Sequence, residues 1–520
     1  MSKVKEIFSS SEKMKEEYCA TVVQIGELTP IEGSDFLAQT IVDGFSIVVR
    51  KDEFSTGDVA IYAKNETELN HDFLSSNNLF ELSERELNKN YEEVQRLIDE
   101  GKTDDARKLV GFFNKRGRVK MIRLRGCPSM GVLFKMDAIS KWIKSTEDVN
   151  LENYIGFNFD TICGKEFIKA YVPFMPSQSK GGKRNKRDEK LNQFDRLIPG
   201  EFAFHYDTLQ LNSNIQRIKP TDSVTISIKM HGTSAIFANV LIKKPLVFSA
   251  GRKLIADYQS HKVQKIRKRL SAVPHIRERQ KKEIREILGK KPKNYTVGFG
   301  NVYSSRTVVK NQYINKNVGS GYYSVDVWSM ANSVISPYIP NGMTVYAEIC
   351  GYEDKSDKFI QKNYDYGCEK GKWFIMPYRI TTAVEGTTKK KEWSVLEIEK
   401  WTKELLKSNK ELKEFIRVIP VVYHGTLASL YPDVSLEQHW QENILAKMKE
   451  DKEHFGMEEN EPFCKNKVPR EGICIRVDDD QINECFKLKC AKFLLKEGEL
   501  MTAIAEGKEK ISEEMAEAYA

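Results

Sequence analysis

The sequence predicts an α+β protein, with a small OB-like β-barrel in front and a larger domain of antiparallel sheets and helices behind it. Three observations predict it. Residues 19–134 read as short alternating apolar and polar runs broken by turns. Residues 173–199 are rich in Pro, Ser, Gly, Lys and Arg, as a linker is. Residues 200–520 mix strand and helix patterns with no tandem repeat. The expected division is therefore 1–172, a basic linker at 173–199, and 200–520.

In the front module, residues 20–25, Leu37–Val42, Phe45–Arg50, 58–63, 119–124 and 131–134 read as strands. Asp43-Gly44 between two of these runs is a strong hairpin signal. Five or six strands of this size suit an OB-type barrel. Residues 83–113 interrupt them and read as helical, with Tyr91, Val94, Leu97 and Ile98 on one face. In the second domain, 401–417 and 436–450 read as helices, and a basic helical insertion is expected at 255–295.

Composition narrows the function classes. No run of about eighteen apolar residues is present. The first residues lack the apolar core of a secretory signal, so an intracellular, cytoplasmic protein with no membrane partner is expected. Nine cysteines occur without CxxC pairs, which argues against a cysteine-held structural metal. The net charge of +8 is modest, but thirteen Lys/Arg against three Glu fall between Lys262 and Lys293. A second basic run covers residues 180–187. Charge concentrated this way suits phosphate backbones, or equally a solvated helix face and a basic loop.

Five short segments carry the chemistry. A strand-like run at 224–228 delivers Lys229-Met230-His231-Gly232-Thr233-Ser234. Ser305-Arg306-Thr307 follows, then Ala347-Glu348-Ile349-Cys350-Gly351, Glu471-Gly472 through Arg476, and Lys487-Leu488-Lys489. A lysine at the end of an apolar strand, desolvated and set beside other cations, is expected to have a lowered pKa and a nucleophilic amine. Glu348 and Glu471, on separate strands, suit a divalent metal. Lys487 and Lys489 alternate along a strand and so share a face, as a triphosphate would require. Gly232 and Gly472 allow close backbone approach.

In this order the segments resemble motifs I, Ia, III, IV and V of the covalent nucleotidyltransferase superfamily. His231, where most members carry Asp, is similar to the RNA ligase 2 branch. Residues 360–367 resemble the run leading to that branch's motif IIIa, which would put Tyr378 where the family stacks an aromatic on adenine. Residues 42–59 and 122–126 resemble the N-terminal OB-type module of Deinococcus-type RNA ligases.

The resemblance implies an ATP-grasp-like nucleotidyltransferase domain and an ATP-dependent RNA ligase that uses Mg2+ or Mn2+. Its partners would be RNA ends and nicked, RNA-containing duplexes. Lys229 would take AMP from ATP, with Lys487 and Lys489 at the α-phosphate. His231 and Gly232 would lie at the phosphate or ribose, Glu348 at the ribose or metal, and Glu471 in the metal shell. The motif Ia arginine is expected to be Arg306, with Arg252 of Ser249-Ala250-Gly251-Arg252 as the alternative. DNA ligases and capping guanylyltransferases carry their OB module after motif V, whereas here it stands in front. A non-catalytic RNA-binding protein is the alternative from another class.

Overall fold

A computed structural model describes residues 7–172, 196–205, 208–245, 295–311, 322–384, 389–436, 439–478 and 484–509. Most of the expected linker, the basic insertion and Arg252 lie outside the described residues.

The front module starts from period-two alternation. Ala20–Gln24, Val59–Ala63, Val132–Phe134 and Asn158–Phe159 form a four-stranded antiparallel sheet. Thr29–Pro30, Leu37–Val42 and Phe45–Arg50 form a second sheet. Ile25, Val42, Ile47, Val49, Ala60, Tyr62 and Leu133 pack between them as one core. Met130 N–H donates to the Ser46 carbonyl at 2.8 Å, and Val48 N–H to Ser129 Oγ at 3.0 Å, tying the sheets along one edge. Residues 119–124 are not one strand, as expected, but two short ones, Arg118–Val119 and Ile122–Leu124, which pair with different neighbours. The helical interruption is present as Tyr91–Asp99 and Thr103–Lys108, with Val94 buried on its inner face.

The Asp43-Gly44 turn has φ of 49° and 72°, the left-handed conformation a two-residue hairpin needs. It also docks the module on the second domain. Ser213 Oγ donates to Asp43 Oδ2 at 2.9 Å, and Lys449 Nζ donates to the Gly44 carbonyl. A Cβ on Gly44 would stand 2.5 Å from the Asn212 carbonyl oxygen, so glycine is required twice over.

Among the described residues, the second domain contains two five-stranded sheets. One runs Leu209–Gln210, Cys485–Lys489, Gly472–Val477, Ser223–Lys229 and Val421–Thr426. The other, antiparallel throughout, runs Tyr295–Ser304, Thr233–Pro245, Met343–Gly351, Trp373–Ala383 and Lys390–Glu392. The helices Val327–Ile335 and Val395–Ser408 cover the second sheet through Trp328, Ile335 and Ile398.

The helix expected at 401–417 begins earlier and ends earlier. Ser394 and Glu397 form a reciprocal capping box that starts it, and Asn409 leaves helical geometry. The helix expected at 436–450 starts at Trp440.

Candidate active site

Met230-His231-Gly232 is the connection between the two sheets, so everything around Lys229 is assembled where they meet. In the Ser223–Lys229 strand, Val224, Ile226 and Ile228 are buried in the core. Alternation turns Thr225, Ser227 and Lys229 toward a cleft of about 2360 Å3. The cleft runs between the front module and the second domain, lined by Glu17, Asp43 and Arg123 from one and Lys229, Glu471 and Lys487 from the other.

Strand register brings in the partners. Lys229 lies opposite Gly472 and Gly472 opposite Lys489, while Lys487 faces Cys474. Lys229 Nζ is 2.9 Å from Glu471 Oε1, and Lys489 Nζ is 3.7 Å from the same oxygen. His231 Nδ1 is 3.5 Å from Glu471 Oε2. The Glu471 side chain is only 4% exposed, yet burial fails to neutralise it. Lys229, His231 and Lys489 hold its carboxyl far below the usual range.

The expectation of a lowered Lys229 pKa is corrected here. Burial does pull the ammonium down, but the attraction of Glu471 outweighs it, and the value stands well above that of an ordinary lysine. Lys487 behaves as expected of Lys229: burial, with Lys489 and Lys229 nearby, holds it low. For Lys489 burial again acts downward, and Glu497 and Glu471 more than offset it.

The Lys229–Gly232 loop is fixed from three sides. Gly232 N–H donates to Glu348 Oε1 at 3.0 Å, and Gln361 Nε2 donates to the Gly232 carbonyl at 2.7 Å. His231 N–H donates to Tyr366 Oη at 2.6 Å. The His231 ring meets Tyr364 and Phe493 edge-on, with centroids 4.8 and 5.0 Å away. A Cβ on Gly232 would lie 2.3 Å from the Ile349 carbonyl oxygen. Gly472, at φ 146°, leaves 2.0 Å between such an atom and the Leu488 carbonyl oxygen. Both glycines are therefore demanded by close strand approach.

Tyr378 reaches the cleft through a β-bulge. Ala347 pairs with Pro377 and Tyr346 with Arg379, which leaves Tyr378 as the extra residue. It lines the cleft with its ring centroid 5.7 Å from that of His205. Arg306 lines the same cleft from the turn after Tyr295–Ser304. The structure thus brings Lys229, His231, Gly232, Arg306, Glu348, Tyr378, Glu471, Lys487 and Lys489 to one connected region.

Residues that sequence reasoning missed are Gln361, Tyr366, Phe493 and Glu497. The first two sit in the 360–367 run, where nothing in the pattern tells which side chains turn to the loop.

The donor set fits a hard divalent cation in part. Glu471 Oε2 is buried with no well-formed hydrogen bond, a carboxylate oxygen with unused capacity in a group held ionised. Among the described residues no three His, Cys, Asp or Glu side chains are grouped as a protein-only metal cage. A divalent cation held by Glu471 would have to take its remaining ligands from phosphate oxygens and water.

Comparison with known proteins gives the following. A family model described as an OB-fold domain matches residues 19–97. No curated protein matches. Among solved structures, an RNA ligase of Naegleria gruberi, as a lysine-to-alanine variant with ATP and Mn, is 15% identical with a TM-score of 0.46. That likeness covers 92% of this chain and 98% of the other. The same ligase with PPi is 13% identical at a TM-score of 0.45, over 94% of this chain and 100% of that one. With AMP and Mn, a further variant is 14% identical at 0.45, over 93% and 99%. The front module is an OB-fold domain, followed by mixed sheets and helices. Among the described residues no helix is long and apolar enough to cross a membrane.

Proposed function

We propose that the chain is a covalent nucleotidyltransferase, and within that class an ATP-dependent RNA ligase joining 3′-hydroxyl to 5′-phosphate ends. Nicks in RNA-containing duplexes are the substrate this reading favours. The observation that carries it is the meeting of Lys229, Glu471 and Lys489 within 4 Å, at the floor of a cleft also lined by Lys487, Glu348 and Arg306. A lysine amine, a buried ionised carboxylate and clustered cations are the parts that phosphoryl transfer requires.

In this reading Lys229 rests as an ammonium paired to Glu471. Glu471 would be the residue to hold a divalent cation, and with its charge so engaged the main attraction holding that proton would weaken. Burial and the neighbouring Lys489 and Lys487 then favour the neutral amine. A bound divalent cation supplies charge neutralisation at the phosphates. Lys229 Nζ forms a bond to the α-phosphorus as the bond to pyrophosphate breaks and a proton leaves the nitrogen. The AMP passes to a 5′-phosphate, breaking the P–N bond. Attack by a 3′-hydroxyl then closes the strand and expels AMP. Lys487 and Lys489 meet the charge that develops on the α-phosphate, and the Tyr378 ring seats the adenine.

The test is sealing of a nicked duplex with RNA at the 3′-hydroxyl side, with ATP and Mg2+ or Mn2+. Ligated product that depends on ATP and on Lys229 supports the reading. A protein that binds the duplex tightly but neither seals it nor transfers AMP is the non-catalytic alternative.

A further inference from the structure

The helix Ala491–Ala505 follows directly on the Lys489 strand and presents two faces. One faces the site. Glu497 receives Lys489 Nζ on both carboxylate oxygens at 3.1 Å, and Phe493, one turn earlier, lies against the His231 ring with Lys489 Nζ 5.1 Å above it. The other faces the front module. Met501 and Ile504 are buried in a cluster with Tyr171, and Arg118 Nη1 donates to the Gly498 carbonyl at 3.4 Å.

Arg118 is itself fixed. Its side chain is 1% exposed, its Nη2 donates to both oxygens of Glu66 at 2.8 and 2.7 Å, and its guanidinium lies 4.8 Å from the centroid of the Tyr171 ring. The carbonyl it holds belongs to the residue immediately after Glu497. A rigid charge pair in the front module therefore bears on the same turn of helix that grips Lys489.

We propose that Glu497 is a positioning residue for Lys489, and that Arg118, seated on Glu66, sets Glu497 by anchoring the helix to the front module. This rests on the ligase reading of the site, which it deepens: the OB module becomes part of the frame that aims a phosphate-binding lysine. The physical reason is one of distance. Lys489 is drawn toward Glu471 at 3.7 Å as well as toward Glu497 at 3.1 Å. Without the second carboxylate it collapses onto the first, which is the partner that Lys229 must leave. A displacement of about 1 Å at a reacting centre is enough to cost one to two decades in rate.

The experiment uses the full chain and α-labelled ATP, following single-turnover formation of labelled protein per active site across a range of ATP concentrations. Glu497→Ala is expected to lower the maximal rate roughly tenfold while the half-saturating ATP stays within about twofold. Glu497→Gln, which still accepts a hydrogen bond from the ammonium, is expected to recover most of that loss. Arg118→Lys, which keeps the charge beside Glu66 but not the fork, is expected to show the same split. Added to Glu497→Ala, it lowers the rate no further.

A merely structural helix would lower the melting temperature and the fraction of active sites and leave the rate per site alone. A wild-type rate per site in Glu497→Ala, or fully additive losses in the double variant, overturns the proposal. Absence of label in the wild-type protein overturns the ligase reading, and this inference with it; label in wild type and normal rates in the variants overturn this inference alone.

Discussion

Lys229 and Glu471 are held 2.9 Å apart by the register of two neighbouring strands, and that pair decides the resting state of the site. The carboxylate keeps the lysine charged and the lysine keeps the carboxylate charged, each against a burial that works the other way. In the proposed reading, the nucleophilicity of Lys229 therefore depends on what Glu471 binds.

Replacing Glu471 tests that gate. Glu471→Gln is expected to drop the Lys229 pKa, because the largest upward influence on it is removed while burial remains. The pH dependence of Lys229 modification by an amine-reactive reagent checks this. Stability should fall by about 3 kcal/mol in urea unfolding, since Lys229 and Lys489 are left buried without their shared partner.

The same substitution has a pH signature with a definite sign. The Glu471 carboxyl titrates below its ordinary 4.5 in the folded protein, so it contributes stability above that pH and loses it as pH falls through the folded value. The stability gap between wild type and Glu471→Gln should therefore narrow as pH falls from about 6 to about 3. A gap that widens on acidification would contradict the pairing.

Gly472 carries the register that creates the pair. Gly472→Ala would set a Cβ 2.0 Å from the Leu488 carbonyl oxygen at a φ of 146°. Separation of the Gly472–Val477 and Cys485–Lys489 strands is expected, with a loss of about 3 kcal/mol or more in unfolding free energy. Nucleotide transfer should fall further than stability alone explains, because Glu471 and Lys489 both move.

Tyr378 should act on binding more than on chemistry. Tyr378→Ala is expected to raise the half-saturating ATP by roughly tenfold, matching the loss of one base–aromatic stack. Tyr378→Phe should stay near wild type. An unchanged ATP dependence in Tyr378→Ala would return the ring to a packing role against the core it touches.

Much of this was legible because strand chemistry is local. Alternation at 224–228, the Asp43-Gly44 turn and the paired lysines at 487 and 489 are readable from neighbours in sequence, and the strands stand there. What depends on register between distant segments was not. Burial alone predicts a lowered Lys229 pKa, and the sign reverses because Glu471, at the head of a strand remote in sequence, stands beside it. Tyr378 enters the cleft through a bulge; Pro377 in mid-strand signals a break in the ladder there but not which residue is left over. Glu497 carries no signal in the sequence, because its place beside Lys489 depends on how the Ala491–Ala505 helix packs.

The most direct measurement is transfer of label from α-labelled ATP to the denatured chain, with Mg2+ or Mn2+ present and any bound nucleotide stripped first with pyrophosphate. Covalent chemistry at Lys229 requires acid-labile, alkali-stable label on wild type, none on Lys229→Ala, and little on Glu471→Gln. No label from ATP on the wild-type chain, or label that persists in Lys229→Ala, would contradict it.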